Sequence, residues 1–509
     1  MVANNPNALQ QPRTVWVLPH NTGYANIFPL PLAGLDRMLI RTPAVGTISD
    51  AILLSTEYYK IHLSHLVPGR FDDKRLIAAL RSTLDYYPSA AARLRIKGDD
   101  WWLDAGKRGI PVRFQTTEEP LNHQPDLSVI PTEIIDPLAI ALDVSGAVES
   151  DGAEPLVQIK VTYCSKTDES AIGLSYSHML ATGDAHSILQ FLSVWSQYYQ
   201  GKEPLSSRPT YEKYRIPQPP AEHNNNPETD AFLTRHAPHL RIFYPKHIFD
   251  TIRAATRSAA KLVDLFFSLE QIEQLRYVAD SWVGQSGGSA KRTTESNALG
   301  AYFIATMNRC LDVPITRVVV TVTARGIKNP DYLKSDDWRA PGPLAAGNHF
   351  FQVYTPTLSK EEARSIGAVA AAMQQCVKDA RQYDHVKRLF AISDPIMLRM
   401  VKENTFHSFL HEGIFRWNNI GRFDGDVLHF GFGTARSHSH ECAPGSARCF
   451  QAPTKGRWSD NVEPHSGQIH QQFLAMVAAD LNSTAFPNNI AEREQKAQEK
   501  ILRAEKARL

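Results

Sequence analysis

Hydrophobic positions along this chain follow two rhythms. Between Asp72 and Tyr87, Leu76, Leu80, Leu84 and Tyr87 recur every three or four residues, which places them on one face of a helix. Asp72 and Asp73 open that stretch, where carboxylates suit exposed backbone N–H groups, and Pro88 ends it. Val157, Ile159, Val161 and Tyr163 instead alternate with polar residues, as do Ile172, Leu174, Tyr176 and His178, so both segments read as half-buried strands. Ile188, Phe191, Leu192, Trp195 and Tyr199 then return to the helical spacing, and Gly201 suits the helix stop. His178 is therefore expected at a strand end, just before a loop and a helix.

The second half repeats this alternation. A strand and helix are expected over Val263 to Ala279, a flexible Gly/Ser connection over Gly284 to Ser289, and a helix from Thr294 to Cys310. Arg317 to Thr323 (RVVVTVT) reads as a buried strand, and Ser359 with Glu362 forms a capping-box pattern ahead of a long Ala-rich helix. Between the halves, residues 216–230 (IPQPPAEHNNNPETD) are rich in Pro and Asn and have no period, as a crossover segment would. The expected organisation is an N-terminal domain over 1–215, a crossover linker over 216–240, a C-terminal domain over 241–488 and a charged helical tail over 489–509. Alternating strands and helices in both halves, with no internal repeat, give the class α/β.

Composition narrows the function classes. At 509 residues the chain exceeds one ordinary core, and its 43% hydrophobic and 21% charged residues suit a globular protein. Fifty-five basic residues nearly cancel fifty-three acidic ones, and no basic stripe stands out, so no nucleic-acid partner is expected. No run of 18 or more apolar residues is present and the Asn-rich start has no apolar core of a signal peptide, so neither a membrane span nor secretion is expected. Five scattered cysteines, an odd number, suit a reducing compartment such as the cytoplasm.

A histidine at a strand end is by itself more often a satisfied core residue than a catalytic one. A series of further motifs gives His178 its context. They are Leu80–Arg95 (LRSTLDYYPSAAARLR), Ser177-His178 followed by Asp184, Thr293–Ala301 (TTESNALGA), Arg325 at a strand end, Gly347-Asn348, Trp417, and His429-Phe-Gly-Phe-Gly433. In order and spacing these resemble the motifs of the BAHD-type acyltransferases, in particular their fungal branch, from about Ser49 to about Phe473. Two departures stand out. The residue four after His178 is Thr182, and the acid comes two residues later at Asp184, as a two-residue insertion would place it. In the last motif His429 and Phe432 stand where the family has Asp and Trp.

The resemblance implies a two-domain fold like that of chloramphenicol acetyltransferase, with an active-site tunnel between the domains. It implies an acyl-CoA co-substrate, no bound cofactor or metal, and a monomer that acylates an alcohol or amine on a specialised metabolite. His178 would be the general base, suited to the task by a pKa near neutrality. Asp184, Arg325, Asn348, His429, Gly431 and Gly433 would be structural motif positions. In the family the second-motif aspartate is expected to pair with an arginine. With His429 in that place, either Asp424 or Asp426 would reach Arg325, or Arg325 would be free to meet an anionic ligand. Phe432 offers no side-chain N–H, so backbone groups near Gly431 or a hydroxyl would serve the oxyanion. The altered motif keeps two alternatives open: a relative that catalyses a cyclisation or isomerisation, and a binding protein without catalysis.

Other features point less far. His438, His440, Cys442 and Cys449 are ligand types that suit zinc, but their spacing is long and a surface loop is the simpler reading. Gly284–Ser289 lacks the lysine of a P-loop. The mixed charges of the tail read as a solvated face, and its last residues, Ala507-Arg508-Leu509, resemble a peroxisomal targeting tripeptide.

Overall fold

A computed structural model describes residues 12–20, 28–31, 63–68, 70–97, 100–104, 109–118, 129–131, 155–166, 169–176, 184–211, 226–241, 243–245, 263–285, 292–327, 344–403, 405–407, 414–419, 430–432, 437–439, 446–451, 457–462, 467–481, 483 and 486–506. The main strands in chain order are β1 (Arg13–Val17), β2 (Leu63–Pro68), β3 (Ile110–Thr117), β4 (Val129–Pro131), β5 (Val157–Cys164), β6 (Glu169–Tyr176), β7 (Val263–Ser268), β8 (Arg317–Thr323), β9 (Phe350–Tyr354), β10 (Ile414–Asn419), β11 (Ser437–Ser439), β12 (Ser446–Gln451) and β13 (Arg457–Val462). The α-helices are α1 (Asp73–Tyr86), α2 (Ala185–Tyr199), α3 (Pro227–His236), α4 (Leu269–Gln285), α5 (Glu295–Met307), α6 (Ile366–Ala380), α7 (Tyr383–Glu403), α8 (Gly467–Leu481) and α9 (Phe486–Lys506).

Two large mixed sheets organise the molecule. One has the order β1-β3-β5-β6-β2-β11 and the other β9-β8-β10-β12-β13-β7-β4. Each sheet takes an edge strand from the other half of the chain. β11, after residue 430, pairs with β2 in the first sheet, and β4, before residue 140, pairs with β7 in the second. The division near residues 216–240 is thus not followed strictly by sheet membership.

Local chemistry explains the elements around the first sheet. The Asp72 carboxylate accepts from the Arg75 N–H at 3.0 Å and caps α1, whose buried face is Leu76, Ala79, Leu80, Thr83 and Leu84. After α1 the chain turns through Pro88–Ala91. Arg93 folds back on this turn, donating to the Ala91 and Ala92 carbonyls at 3.1 and 3.0 Å and to the Gly109 carbonyl at 2.7 Å. Gly109 has φ +74°, and a Cβ there would meet the Val17 carbonyl oxygen at 1.9 Å, so only glycine lets the two backbones approach. α1 packs against α2, with the Trp195 indole N–H donating to the Leu76 carbonyl at 3.1 Å.

In the other half α5 is buried all round, from Ser296 to Met307. Such a helix is apolar on every side because it crosses the core. Two motifs far apart in sequence meet on it. Trp417 on β10 donates from its indole to the Ser296 hydroxyl at 2.9 Å, and its ring lies so close to Gly300 that a Cβ there would approach it to 2.8 Å.

Three sequence expectations are corrected. The box of Ser359 and Glu362 forms, with reciprocal bonds of 2.7 and 3.1 Å, but it opens the single 3-10 turn Glu362–Arg364. The Ala-rich helix α6 starts afresh with Ser365 as its cap. The expected linker is not irregular throughout: Asn226 caps α3, and the turn after α3 is held to the second sheet by a 2.8 Å bond between His239 Nδ1 and the Tyr354 hydroxyl. The charged tail is α9, and it is not solvated all round. Phe486, Ile490, Glu494, Ala497, Gln498 and Ile501 are buried at helical spacing. Glu494 reaches the start of α6, where its carboxylate accepts from the N–H groups of Ile366 at 2.7 Å and Gly367 at 3.1 Å and from the Ser365 hydroxyl. A carboxylate at a helix N-terminus satisfies donors that the helix leaves unpaired.

Candidate active site

The chain leaves β6 at Tyr176 and enters α2 at Ala185. Residues 177–183, among them His178 and Thr182, lie outside the described residues. Regular structure resumes at Asp184, which caps α2, its Oδ1 accepting from the Ser187 N–H at 3.3 Å. The residue taken from the sequence as an insertion-shifted motif aspartate therefore holds the helix N-cap.

Asp184 also does more than cap. Its Oδ2 accepts from Arg325 Nη1 at 2.6 Å and from the His349 N–H at 3.1 Å, and its own N–H donates to the Gly347 carbonyl at 3.3 Å. Arg325 leaves the end of β8 and spreads its fork over one side of this junction. Nε donates to the Ala345 carbonyl at 2.9 Å, while Nη2 donates to the Gly347 carbonyl at 2.9 Å and to the Ser187 hydroxyl at 3.1 Å. Planar guanidinium groups suit such fixed, multidentate acceptance. Both charged side chains are almost wholly buried, Arg325 at 5% and Asp184 at 9% exposure. Burial pushes the Asp184 carboxyl up, but the charge of Arg325 and the hydrogen bonds from Arg325 and His349 more than reverse this. The group titrates at about 2, below its ordinary 3.8.

Here the expectation for Arg325 is corrected. Among the described residues its acidic partner is the aspartate of the first motif, and its fork is spread over that carboxylate, the Ser187 hydroxyl and two main-chain carbonyls. Asp424, Asp426, His429 and Gly433 lie outside the described residues. The described part of the second motif packs elsewhere. The Phe430 N–H donates to the Ser196 hydroxyl at 3.0 Å, and the Phe430 ring meets Trp195 edge-on at 5.3 Å between centroids. Phe432 stacks on Tyr199 and meets Phe71 edge-on. Gly431, at φ +86°, lies against Gln200, at the opposite end of α2 from Asp184. A helix of 15 residues is ~22 Å long, so Gly431 and Asp184 stand at opposite ends of α2. The described part of the motif, residues 430–432, packs two aromatic rings against the C-terminal end of α2.

The loop of Ala345 to His349 is clasped from two sides. Asp184 holds one side, and on the other the Thr210 N–H donates to the Leu344 carbonyl at 3.0 Å while the Ala346 N–H donates to the Thr210 carbonyl at 2.8 Å. Asn348 is buried beside them. Sequence reasoning singled out Asp184, Arg325 and Asn348 but missed Ser187 and His349. Ser187 stood in the helix register; His349, one residue beyond the Gly347-Asn348 pair, carried no separate signal.

No group of three His, Cys, Asp or Glu suited to a metal occurs among the described residues. The side chains of His438, His440, Cys442 and Cys449 lie outside them. Cys164, Cys310 and Cys376 are free thiols.

Two sheets that exchange edge strands and are joined by a buried aspartate–arginine pair define an α/β acyltransferase fold. Vinorine synthase superposes with TM-score 0.57 at 15% identity, covering 94% of this chain and 100% of its own. TRI101 from F. sporotrichioides, solved with coenzyme A and T-2, gives TM-score 0.61 at 12% identity, covering 91% and 99%. The condensation domain of the monacolin K polyketide synthase MokA gives 0.53 at 12%, covering 91% and 98%. Identities this low establish the fold alone. No curated protein matches by sequence. The model of the Transferase family matches residues 47–307, more than half of the chain, and the chain belongs to that family, the BAHD-type acyltransferases.

Proposed function

We propose that this protein transfers an acyl group from acyl-CoA to a hydroxyl or amine of a small specialised metabolite, with His178 as the general base. The observation that carries the reading is the junction of Asp184 with Arg325. It fixes the residue at which the His178 segment rejoins regular structure, and it fixes it to the other half of the chain. An active site at the meeting of two halves needs such a fixed point, because small misplacements of a base are costly in rate.

The chemistry asks for little else. A thioester is already activated, so a base that takes the proton from the attacking hydroxyl or amine and returns it to the departing thiolate completes the transfer. TRI101, a neighbour in fold, is solved with coenzyme A and T-2, which supports a CoA donor and a small acceptor here. A fungal biosynthetic setting and action as a monomer belong to the same reading. The test is to incubate purified protein with acetyl-CoA and longer acyl-CoAs against a panel of small alcohols and amines, following thiol release and product mass. Acceptor-dependent thiol release supports the reading. Failure to bind any acyl-CoA, by calorimetry, overturns it and favours the non-catalytic alternative.

A further inference from the structure

His349 touches three separate pieces of the junction. Its N–H donates to Asp184 Oδ2 at 3.1 Å. Its carbonyl accepts from the Ala324 N–H at 2.6 Å and the Thr323 hydroxyl at 3.4 Å, tying it to the end of β8 that presents Arg325. Its ring Nε2 lies 3.0 Å from the Ala346 carbonyl. A carbonyl only accepts, so Nε2 carries the proton and the ring bond closes a turn over residues 346–349. Inside that turn Gly347 sits at φ +112°, a backbone state that side chains other than glycine rarely adopt. The Gly347 carbonyl held in this way is the one that accepts from both Arg325 Nη2 and the Asp184 N–H.

The ring is built to stay neutral. His349 is buried at 4% exposure. Burial first, and the charge of Arg325 second, push its pKa down to about 3, against smaller opposing effects from Asp184 and the Ala346 carbonyl; His186 adds a further small lowering. Among the described residues, a second cation beside Arg325 would share the carboxylate of Asp184.

We propose that His349 is a positioning residue for the transfer reaction: by donating from Nε2 to the Ala346 carbonyl it holds the 346–349 turn, and through Gly347 and Asp184 it sets the start of α2 directly after the segment of His178. This rests on the reading of His178 as the base, but it makes a structural claim that can be checked apart from it.

Three measurements test it together. His349→Ala should lower kcat by about 10-fold or more, with the KM for acyl-CoA within a few-fold, and should speed hydrogen exchange at residues 185–190. His349→Gln, whose side-chain amide can reach the Ala346 carbonyl, should recover most of both. Nitrogen NMR of histidine-labelled protein, with the His349 signal assigned by its loss in His349→Gln, should show a neutral ring protonated at Nε2 from pH 8 to pH 5. Exchange and NMR read the positioning even if another residue proves to be the base, which an activity assay of His178→Ala decides separately. Should His349→Ala fail to fold, the Gln variant and the NMR signal still decide. A ring protonated at Nδ1 or charged at pH 5 overturns the proposal, as does a folded His349→Gln with the full kcat loss or a His349→Ala with unchanged exchange and kcat.

Discussion

Asp184 and Arg325 are 141 positions apart in the chain, yet Nη1 of Arg325 lies 2.6 Å from Oδ2 of Asp184. The pair sits at the N-terminus of α2, and three main-chain groups of the 345–349 loop complete it. Removing one partner leaves an unpaired buried charge, which costs ~3–5 kcal/mol. Asp184→Asn and Arg325→Gln should each lower the melting temperature sharply, and the double variant should be less destabilised than their sum. Chemical denaturation of the three variants measures the coupling; additive losses would show that the two side chains act independently. Because Arg325 already has its acid, His429→Asp should bring no gain in stability.

Acid should weaken the fold in two windows. The folded pKa of Asp184 is depressed to about 2 from 3.8. Its contribution is complete above about pH 4 and is lost as pH falls towards 2. The folded pKa of His349 is depressed to about 3 from 6.5. The unfolded chain takes up a proton there that the folded chain refuses, so this contribution is full above pH 6.5 and declines below it. Urea midpoints between pH 7.5 and pH 3.5 should therefore fall, and fall less steeply in His349→Gln. An identical slope in that variant would contradict the assignment.

Substituting the proposed base should separate chemistry from folding. His178→Ala should leave the melting curve in place and reduce acyl transfer by roughly 10²–10⁴-fold. Turnover within a few-fold of the parent protein in a thiol-release assay would rule His178 out as the base.

The tail helix should be needed for stability. Glu494 receives two N–H groups at the start of α6, and the neighbouring Arg493 pairs with Asp480, which also accepts from the Tyr302 hydroxyl at 2.8 Å. Glu494→Ala leaves buried donors unpaired and should cost ~1–3 kcal/mol. Denaturant midpoints check this, and a midpoint equal to that of the parent protein would mean that solvent replaces the carboxylate at no cost.

Gly300 tests the packing of two distant motifs. A methyl group at this position would approach the Trp417 ring to 2.8 Å and the Met373 Cε to 3.1 Å. Although alanine is the better helix former, Gly300→Ala should destabilise by ~1–3 kcal/mol through overpacking. A gain in melting temperature would show that Trp417 can move aside.

The sequence by itself determined the periodic elements, because the signals that make them are short-range. Asp72 and Asp184 cap helices within three residues of themselves, and the alternation over Val157–Tyr163 marked a strand, although that strand is buried on both faces, Lys160 and Thr162 included, where half-burial was expected. The α/β class was legible in this way, whereas the acyltransferase fold was implied by the resemblance of the motifs to a known family. Only the tertiary structure decided how these pieces pair. Arg325 is an arginine at a strand end whichever acid it meets, and nothing local distinguishes Asp184 from Asp424 or Asp426. The exchange of β4 and β11 between sheets, the burial of Glu494 in a helix that reads as charged, and the three bonds of His349 depend likewise on what lies opposite once the core has closed. A buried charge takes the partner that geometry brings to it, and spacing along the chain does not encode that geometry.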